Sequence, residues 1–136
     1  MPDPNASGDV WSDVTWSAPA MMHLRAGVAE MGQPHIEGLN TSNLHIMTPE
    51  CENNSHYFFA NTRSFQQDDA EYNAFLDKIL ISIFANEDKP MVEAQQQMMN
   101  GNDFWSLKPL LLQGDAGAVR TRRVLSRLIE QENPLI

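Results

Sequence analysis

The pattern of hydrophobic and polar positions in the first half of the chain is typical of short β-strands. Segment 10–16 alternates well enough to predict a short strand, and segment 21–29 is the candidate for a second one. Segments 43–48 and 55–65 give the clearest strand signal, because they are rich in β-branched and aromatic residues. The stretch PECENNS between the last two is typical of a loop, so we expect an antiparallel hairpin with a connection of about seven or eight residues. Both faces of this hairpin carry apolar side chains, which predicts that both are covered.

After residue 67 the hydrophobic period lengthens to that of a helix. Asp68 stands three residues before Glu71, which resembles a capping box and predicts that Asp68 caps the first helix. An apolar stripe then runs from Tyr72 to Phe84 at steps of four residues. Strands followed by helices indicate an α+β fold, in which the C-terminal helices pack against an antiparallel sheet.

The end of the chain predicts one more helix. Residues 101–105 read as a break and residues 107–112 as an extended segment. The helical pattern that follows has Asp115 as its expected N-cap and Asn133-Pro134 as its expected end.

A carboxylate interrupts the apolar stripe of the first helix. Asp88 occupies the position between Phe84 and Val92 in the same four-residue row, and Pro90 follows two residues later. Because proline cannot donate a backbone hydrogen bond, the helix is expected to kink or restart there. A buried, unpaired carboxylate is costly, so Asp88 needs a cationic side chain, a backbone amide or a metal ion as partner. On these grounds alone, a salt-bridged or rim carboxylate is favoured over a metal ligand.

The length and composition limit the classes of protein to which the chain can belong. A chain of 136 residues with 42% hydrophobic residues suits a single globular domain, and residues 1–10 are small and polar enough to predict a flexible N-terminal arm. No apolar run is long enough to span a bilayer, and the first residues lack the pattern of a signal peptide, so we expect a cytoplasmic protein without a membrane partner.

The net charge of −9 argues against nucleic acid as a partner. Residues 120–136 carry four arginines against two glutamates, a local net of +2, so the remaining residues carry −11. The simplest interpretation of the arginines is the solvated face of the last helix.

The candidate metal ligands are scattered. Four histidines are present, at positions 23, 35, 45 and 56, together with the single cysteine, Cys51. None of their spacings matches a known zinc pattern, so a metal site built from them is the least favoured hypothesis. A lone histidine on a strand, such as His45, is more often a packed core residue than a ligand.

Four blocks of sequence resemble one family. They are VWSDVTWSAPAMMHL, LHIMTPE followed by NSHYFFANTRSF, EDKPMVEAQQ, and GDAGAVRTRRVLSRLIE. In this order and spacing they resemble the C-terminal part of Rieske-type non-haem iron oxygenases, specifically the oxygenase subunits of the vanillate O-demethylase type. The resemblance implies that residues 11–136 form the C-terminal part of a catalytic domain with a partial helix-grip (START-like) fold.

The resemblance also implies site residues and chemistry. In that family Fe(II) is held by two histidines and one carboxylate, which leaves positions open for O₂. The carboxylate is the aspartate of the EDK block, here Asp88. His45 and Phe84 correspond to positions that line the substrate pocket. The implied activity is O-demethylation or ring hydroxylation of a small aromatic compound, with electrons supplied by a reductase through a Rieske domain, commonly in a homo-oligomer.

Two departures from the family limit these expectations. One cysteine cannot build a [2Fe–2S] Rieske cluster, which needs two cysteines and two histidines. The iron-binding histidine pair also has no counterpart in this sequence. We therefore expect this chain to be a fragment of a mono-oxygenase that neither binds catalytic iron nor turns over by itself. The alternative is a non-catalytic module for small-ligand binding or dimerisation.

Overall fold

A computed structural model describes residues 7–132 of the chain. They form two compact units, one containing the described parts of Met1–Gln67 and Val124–Ile136, the other Asp68–Arg123. The first unit is built on a β-sheet and the second is largely helical. The α+β class predicted from the order of the elements is thereby confirmed.

The sheet is an antiparallel meander of four strands in the order in which they occur in the chain. These are β1 (Gly8–Ser17), β2 (Met21–Glu30), β3 (Leu39–Cys51) and β4 (Asn54–Arg63). The first two contain the strands predicted at 10–16 and 21–29, and β1 includes residues 8–10 of the expected N-terminal arm. Residues 1–6 of that arm lie outside the described residues.

The predicted loop of the β3–β4 hairpin is wrong. Only Glu52 and Asn53 connect the two strands, and PECENNS otherwise belongs to the ladder. The pairing continues from Thr48 to Cys51, with an irregularity between Pro49 and Cys51. A β-bulge accommodates an extra residue without ending the hydrogen-bonded ladder. Residues that are typical of loops therefore lie here within paired strands.

The helical unit begins with α1 (Ala70–Ile83). Its N-cap is Asp69, whose carboxylate accepts a hydrogen bond from the backbone N–H of Tyr72 at 2.9 Å, so the prediction of Asp68 as cap is wrong by one residue. Either aspartate can cap a helix, and the choice depends on which residue leaves helical backbone geometry first. The half-buried residues of α1 include the predicted row at 72, 76 and 80.

The helix is interrupted and then restarts, as Pro90 predicted. Residues Phe84–Asp88 form a π-helical turn, and α2 (Lys89–Met99) follows with Pro90 in its first turn. Asn100 ends α2 in a left-handed conformation with φ of 47°. Because Pro90 has no N–H, the carbonyl of Asn86 cannot receive its usual helical bond, and a wider turn accommodates this loss.

The final helix, α3 (Ala116–Glu132), follows a short 3₁₀ turn at Gln113–Asp115. Asp115 directly precedes α3 as expected, and its carboxylate accepts a hydrogen bond from the backbone N–H of Leu112 at 2.8 Å. The predicted stop at Asn133-Pro134 lies outside the described residues. Among the helices described, none is long and apolar enough to cross a membrane.

Large apolar side chains on both faces of the sheet are exposed. On one face Phe58 is 58% exposed and its cross-strand neighbour Ile46 is 36% exposed, and on the other Val10 is 84% exposed. In the sheet unit, the buried residues among those described are Ala29 and His45. The described residues of the sheet unit do not by themselves cover both faces. Exposed apolar surface of this kind marks an interaction site.

Candidate functional site

His45 is a buried polar residue at the centre of the sheet. It lies on β3 between Met22 of β2 and Phe59 of β4, and only 8% of its surface is exposed. The Nδ1 atom of His45 and the hydroxyl of Tyr57 form a hydrogen bond of 2.5 Å, and the two rings stack at 5.9 Å between centroids. The hydroxyl of Tyr57 therefore fixes the orientation of the imidazole ring.

Other polar groups share the face of the sheet that carries His45. Side chains alternate along a strand, so Asn43 lies on this face, and Asn61 is its cross-strand partner. The amide of Asn61 donates to the side-chain oxygen of Asn43 at 2.6 Å. Imidazole, phenol and amides in a row beside the ring of Phe59 form an aromatic and polar cluster that suits an aromatic ligand with a polar substituent.

Asp88 and Phe84 are the last and first residues of the π-helical turn in the helical unit. Phe84 is half-buried and Asp88 is exposed. The Asp88 carboxylate makes no hydrogen bond or ion pair within residues 7–132, and the neighbouring Lys89 instead pairs with Glu93 at 3.7 Å. Lys89 is therefore not the partner of Asp88, and the other partners considered for this carboxylate stay open.

The residues present do not by themselves fit a catalytic iron. Across the described residues, no group of three or more His, Cys, Asp or Glu side chains is arranged to hold a metal ion. His23 bonds to the hydroxyl of Ser42 at 2.6 Å, and His35 stacks on Trp11. A mononuclear site of the facial-triad type needs two imidazoles and a carboxylate converging on one point, and Asp88 has no such imidazoles in its unit.

The structure thus brings together Asp88 with Phe84 in one turn, and His45 with partners that the sequence did not single out. Tyr57, Asn43 and Asn61 were missed because their relation to His45 depends on the register of β3 and β4. The signal available in the sequence was the alternation of polar and aromatic residues in both strands.

Comparison with known proteins identifies relatives over almost the whole chain. Residues 1–131 match the family described as the vanillate O-demethylase oxygenase C-terminal domain. The oxygenase component of chloroacetanilide N-alkylformylase from Rhizorhabdus wittichii is 39% identical over 124 residues, which are 91% of this chain and 36% of that protein. The oxygenase component of dicamba O-demethylase from Stenotrophomonas maltophilia is 32% identical over 94% of this chain and 38% of that protein.

A solved structure agrees with these relatives. The crystal structure of dicamba monooxygenase bound to 3,6-dichlorosalicylic acid matches with a TM-score of 0.85 and 31% identity, over 94% of this chain and 38% of that one. The chain therefore spans little more than a third of the length of the relatives it matches. With a family match over residues 1–131, this chain belongs to the vanillate O-demethylase oxygenase C-terminal domain family.

Proposed function

We propose that this chain forms the C-terminal part of the catalytic domain of a Rieske-type mono-oxygenase, and that Asp88 is one of the ligands of its mononuclear Fe(II). The substrate is a small aromatic compound that is O-demethylated or hydroxylated with O₂. A reductase and a Rieske domain supply the electrons. The observation that most strongly supports the proposal is the structural similarity to dicamba monooxygenase, with a TM-score of 0.85 and 31% sequence identity.

Asp88 is suited to the role of ligand by its place in the helix. Its carboxylate has no partner among residues 7–132, and it ends a π-helical turn in the middle of a helical segment. Turns of this type are frequent at functional sites because the extra residue changes the direction of the side chains around it. Pro90 helps to maintain the turn, since it cannot donate the backbone hydrogen bond that would restore regular α-helix at Asn86.

His45 and Phe84 are proposed to line the substrate pocket. The Tyr57 hydroxyl holds the His45 ring in one orientation, which positions the imidazole for a hydrogen bond to a polar substituent of the substrate. The half-buried ring of Phe84 provides an apolar surface for the aromatic ring. In the helical unit, Phe84 and Asp88 share the π-helical turn, so the substrate ring and the iron are expected to lie near each other.

The chain by itself is proposed to be inactive. It supplies one carboxylate of a site that also needs two histidines, and its single cysteine cannot hold a [2Fe–2S] cluster. The exposed apolar residues on both faces of the sheet support a larger domain, because such surface is normally covered by another part of the protein.

Anaerobic titration with Fe(II), followed by desalting and metal analysis, tests these statements. We expect far less than one iron per chain in the wild type, because one carboxylate holds Fe(II) weakly. Asp88→Asn and the control Asp77→Asn, an exposed aspartate of α1, are measured in parallel. One iron per chain in all three proteins would contradict both the incomplete site and the role of Asp88. One iron that is lost only in Asp88→Asn would support Asp88 as ligand and refute the incomplete site.

The coding sequence upstream of Met1 provides an independent test. We expect it to encode two Cys-x-His-type pairs for a Rieske cluster, and then a histidine pair, in the same reading frame. An in-frame stop codon and a promoter directly before Met1 would instead favour the non-catalytic module.

A further inference from the structure

An open groove of about 500 Å³ lies against the sheet, and residues of all four strands line it. Several of these residues, among them Trp11 and Ser42, lie on the face of the sheet opposite His45, because an odd number of positions separates Ser42 from His45 on β3. None of the residues in the cluster around His45 lines the groove. Its volume is within the range of sites that bind small molecules.

The wall of the groove depends on a glycine. Trp11 on β1 and Asn40 on β3 are the cross-strand neighbours of Gly27 on either side. A Cβ atom at Gly27 would lie 2.8 Å from Oδ1 of Asn40 and 3.0 Å from Cζ2 of Trp11. Only the absence of a side chain at Gly27 lets both side chains lie across β2, so this wall has a defined shape.

Two stacked aromatic rings lie in the groove, and we call them the Trp11–His35 platform. Trp11 and His35 stack in parallel, with 4.8 Å between ring centroids and an angle of 2° between their planes. His35 is held at this position by the 3₁₀ turn between β2 and β3. Each ring covers one face of the other, so the surface left for offset stacking of a flat ligand is the outer face of His35, which is exposed.

Two buried polar atoms of the wall lack hydrogen-bond partners within the described residues. They are the donor Nε1 of Trp11 and the acceptor Oδ1 of Asn40. The amide nitrogen of Asn40 donates to the carbonyls of Gly38, at 2.7 Å, and Ile36, at 3.3 Å, so the side chain is fixed with its oxygen unpaired. Each unsatisfied group costs about 1–3 kcal/mol. Because both atoms have almost no accessible surface, they describe the packing of the wall around Gly27 and not a contact to a ligand in the groove.

The rim of the groove carries positive charge. Arg25 and Arg63 line it together with one acid, Asp13, in a chain whose net charge is −9. The Arg25–Asp13 contact is long, at 4.0 Å, and both side chains are more than half exposed, so an anion can compete for the guanidinium. Arg25 is two residues from Gly27, which places it roughly 7 Å along the strand from the platform.

From these features we propose that the groove binds a small planar organic anion, with its ring on the Trp11–His35 platform and its carboxylate at Arg25. This site does not depend on iron or on the pocket beside His45. The ligand class follows from three features: a flat aromatic surface, a largely apolar wall, and an arginine whose distance from that surface is about the length of one substituted aromatic ring.

NMR titration of the ¹⁵N-labelled full chain with benzoate tests the proposal, with neutral benzamide as the matched probe. We expect benzoate to shift the indole N–H of Trp11 saturably, while the indole of Trp16, on the opposite face of β1, shifts little. Benzamide should bind about tenfold more weakly, because it cannot form the charge-assisted hydrogen bond to Arg25. Arg25→Gln should abolish this preference, and Arg120→Gln on α3 should keep it.

Three outcomes would overturn the proposal. They are the absence of saturable shifts at Trp11, equal binding of benzoate and benzamide by the wild type, and an unchanged preference in Arg25→Gln. Since Arg25 is exposed, its substitution is expected to leave the spectrum of the folded sheet intact. Should that variant unfold, the benzoate-to-benzamide comparison in the wild-type chain still decides the outcome.

Discussion

Substitution of Gly27 by alanine is expected to destabilise the sheet. The added Cβ would lie 2.5 Å from the backbone oxygen of Leu39, closer than to the side chains of Asn40 and Trp11. A side chain can rotate away, but the Leu39 oxygen belongs to the neighbouring strand. Strands β2 and β3 must therefore move apart, and their hydrogen bonds lengthen.

The size of the effect follows from two opposing contributions. Overpacking lowers the free energy of unfolding by about 1–3 kcal/mol. Alanine offsets about 0.4–1 kcal/mol of this loss, because it reduces the conformational entropy of the unfolded chain. The free energy of unfolding should thus fall by about 1–2 kcal/mol. For a chain of this size, that corresponds to a decrease of roughly 3–10 °C in Tm.

Urea and thermal unfolding followed by circular dichroism measure this change. Gly117→Ala is the matched control, because a Cβ in the first turn of α3 meets nothing within 4 Å. Its stability should stay the same or rise by about 0.5–1 kcal/mol, as alanine favours helix over glycine. A Gly27→Ala variant as stable as the wild type would refute the close approach of β2 and β3 at this residue.

Two further predictions concern the N-cap of α1 and the thiol of Cys51. Asp69→Ala should lower the free energy of unfolding by about 1 kcal/mol, because the hydrogen bond to the Tyr72 N–H is lost, whereas Asp68→Ala should change it little. Urea unfolding measures both variants, and a larger loss of stability in Asp68→Ala would identify Asp68 as the cap. The pKa of Cys51 is lowered, chiefly because the backbone N–H of Asn53 donates to the thiolate and secondarily because Asn54 does so. Since the thiolate is the reactive form, iodoacetamide alkylation should have its pH midpoint lower in the folded chain than in urea, and identical midpoints would contradict the role of this turn.

The sequence alone predicted the kinds of elements and their order. The change from a period of two to a period near four separates the sheet from the helices, because these periods reflect the geometry of strand and helix. The interruption of the helix near Asp88 and Pro90 could also be predicted, since a proline inside a helix removes a backbone hydrogen bond. These features depend on residues close together in the chain, as do the motifs that indicated the family.

The tertiary structure decided what depends on pairing between distant residues. The β3–β4 register extends the ladder through PECENNS and places Tyr57 against His45, although local composition there favours a loop. The choice of Asp69 over Asp68 and the arrangement of Trp11 and Asn40 around Gly27 likewise follow from backbone geometry and strand register. A shift by one residue in a strand exchanges its two faces, so the composition of a site on a sheet is determined only once the strands have paired.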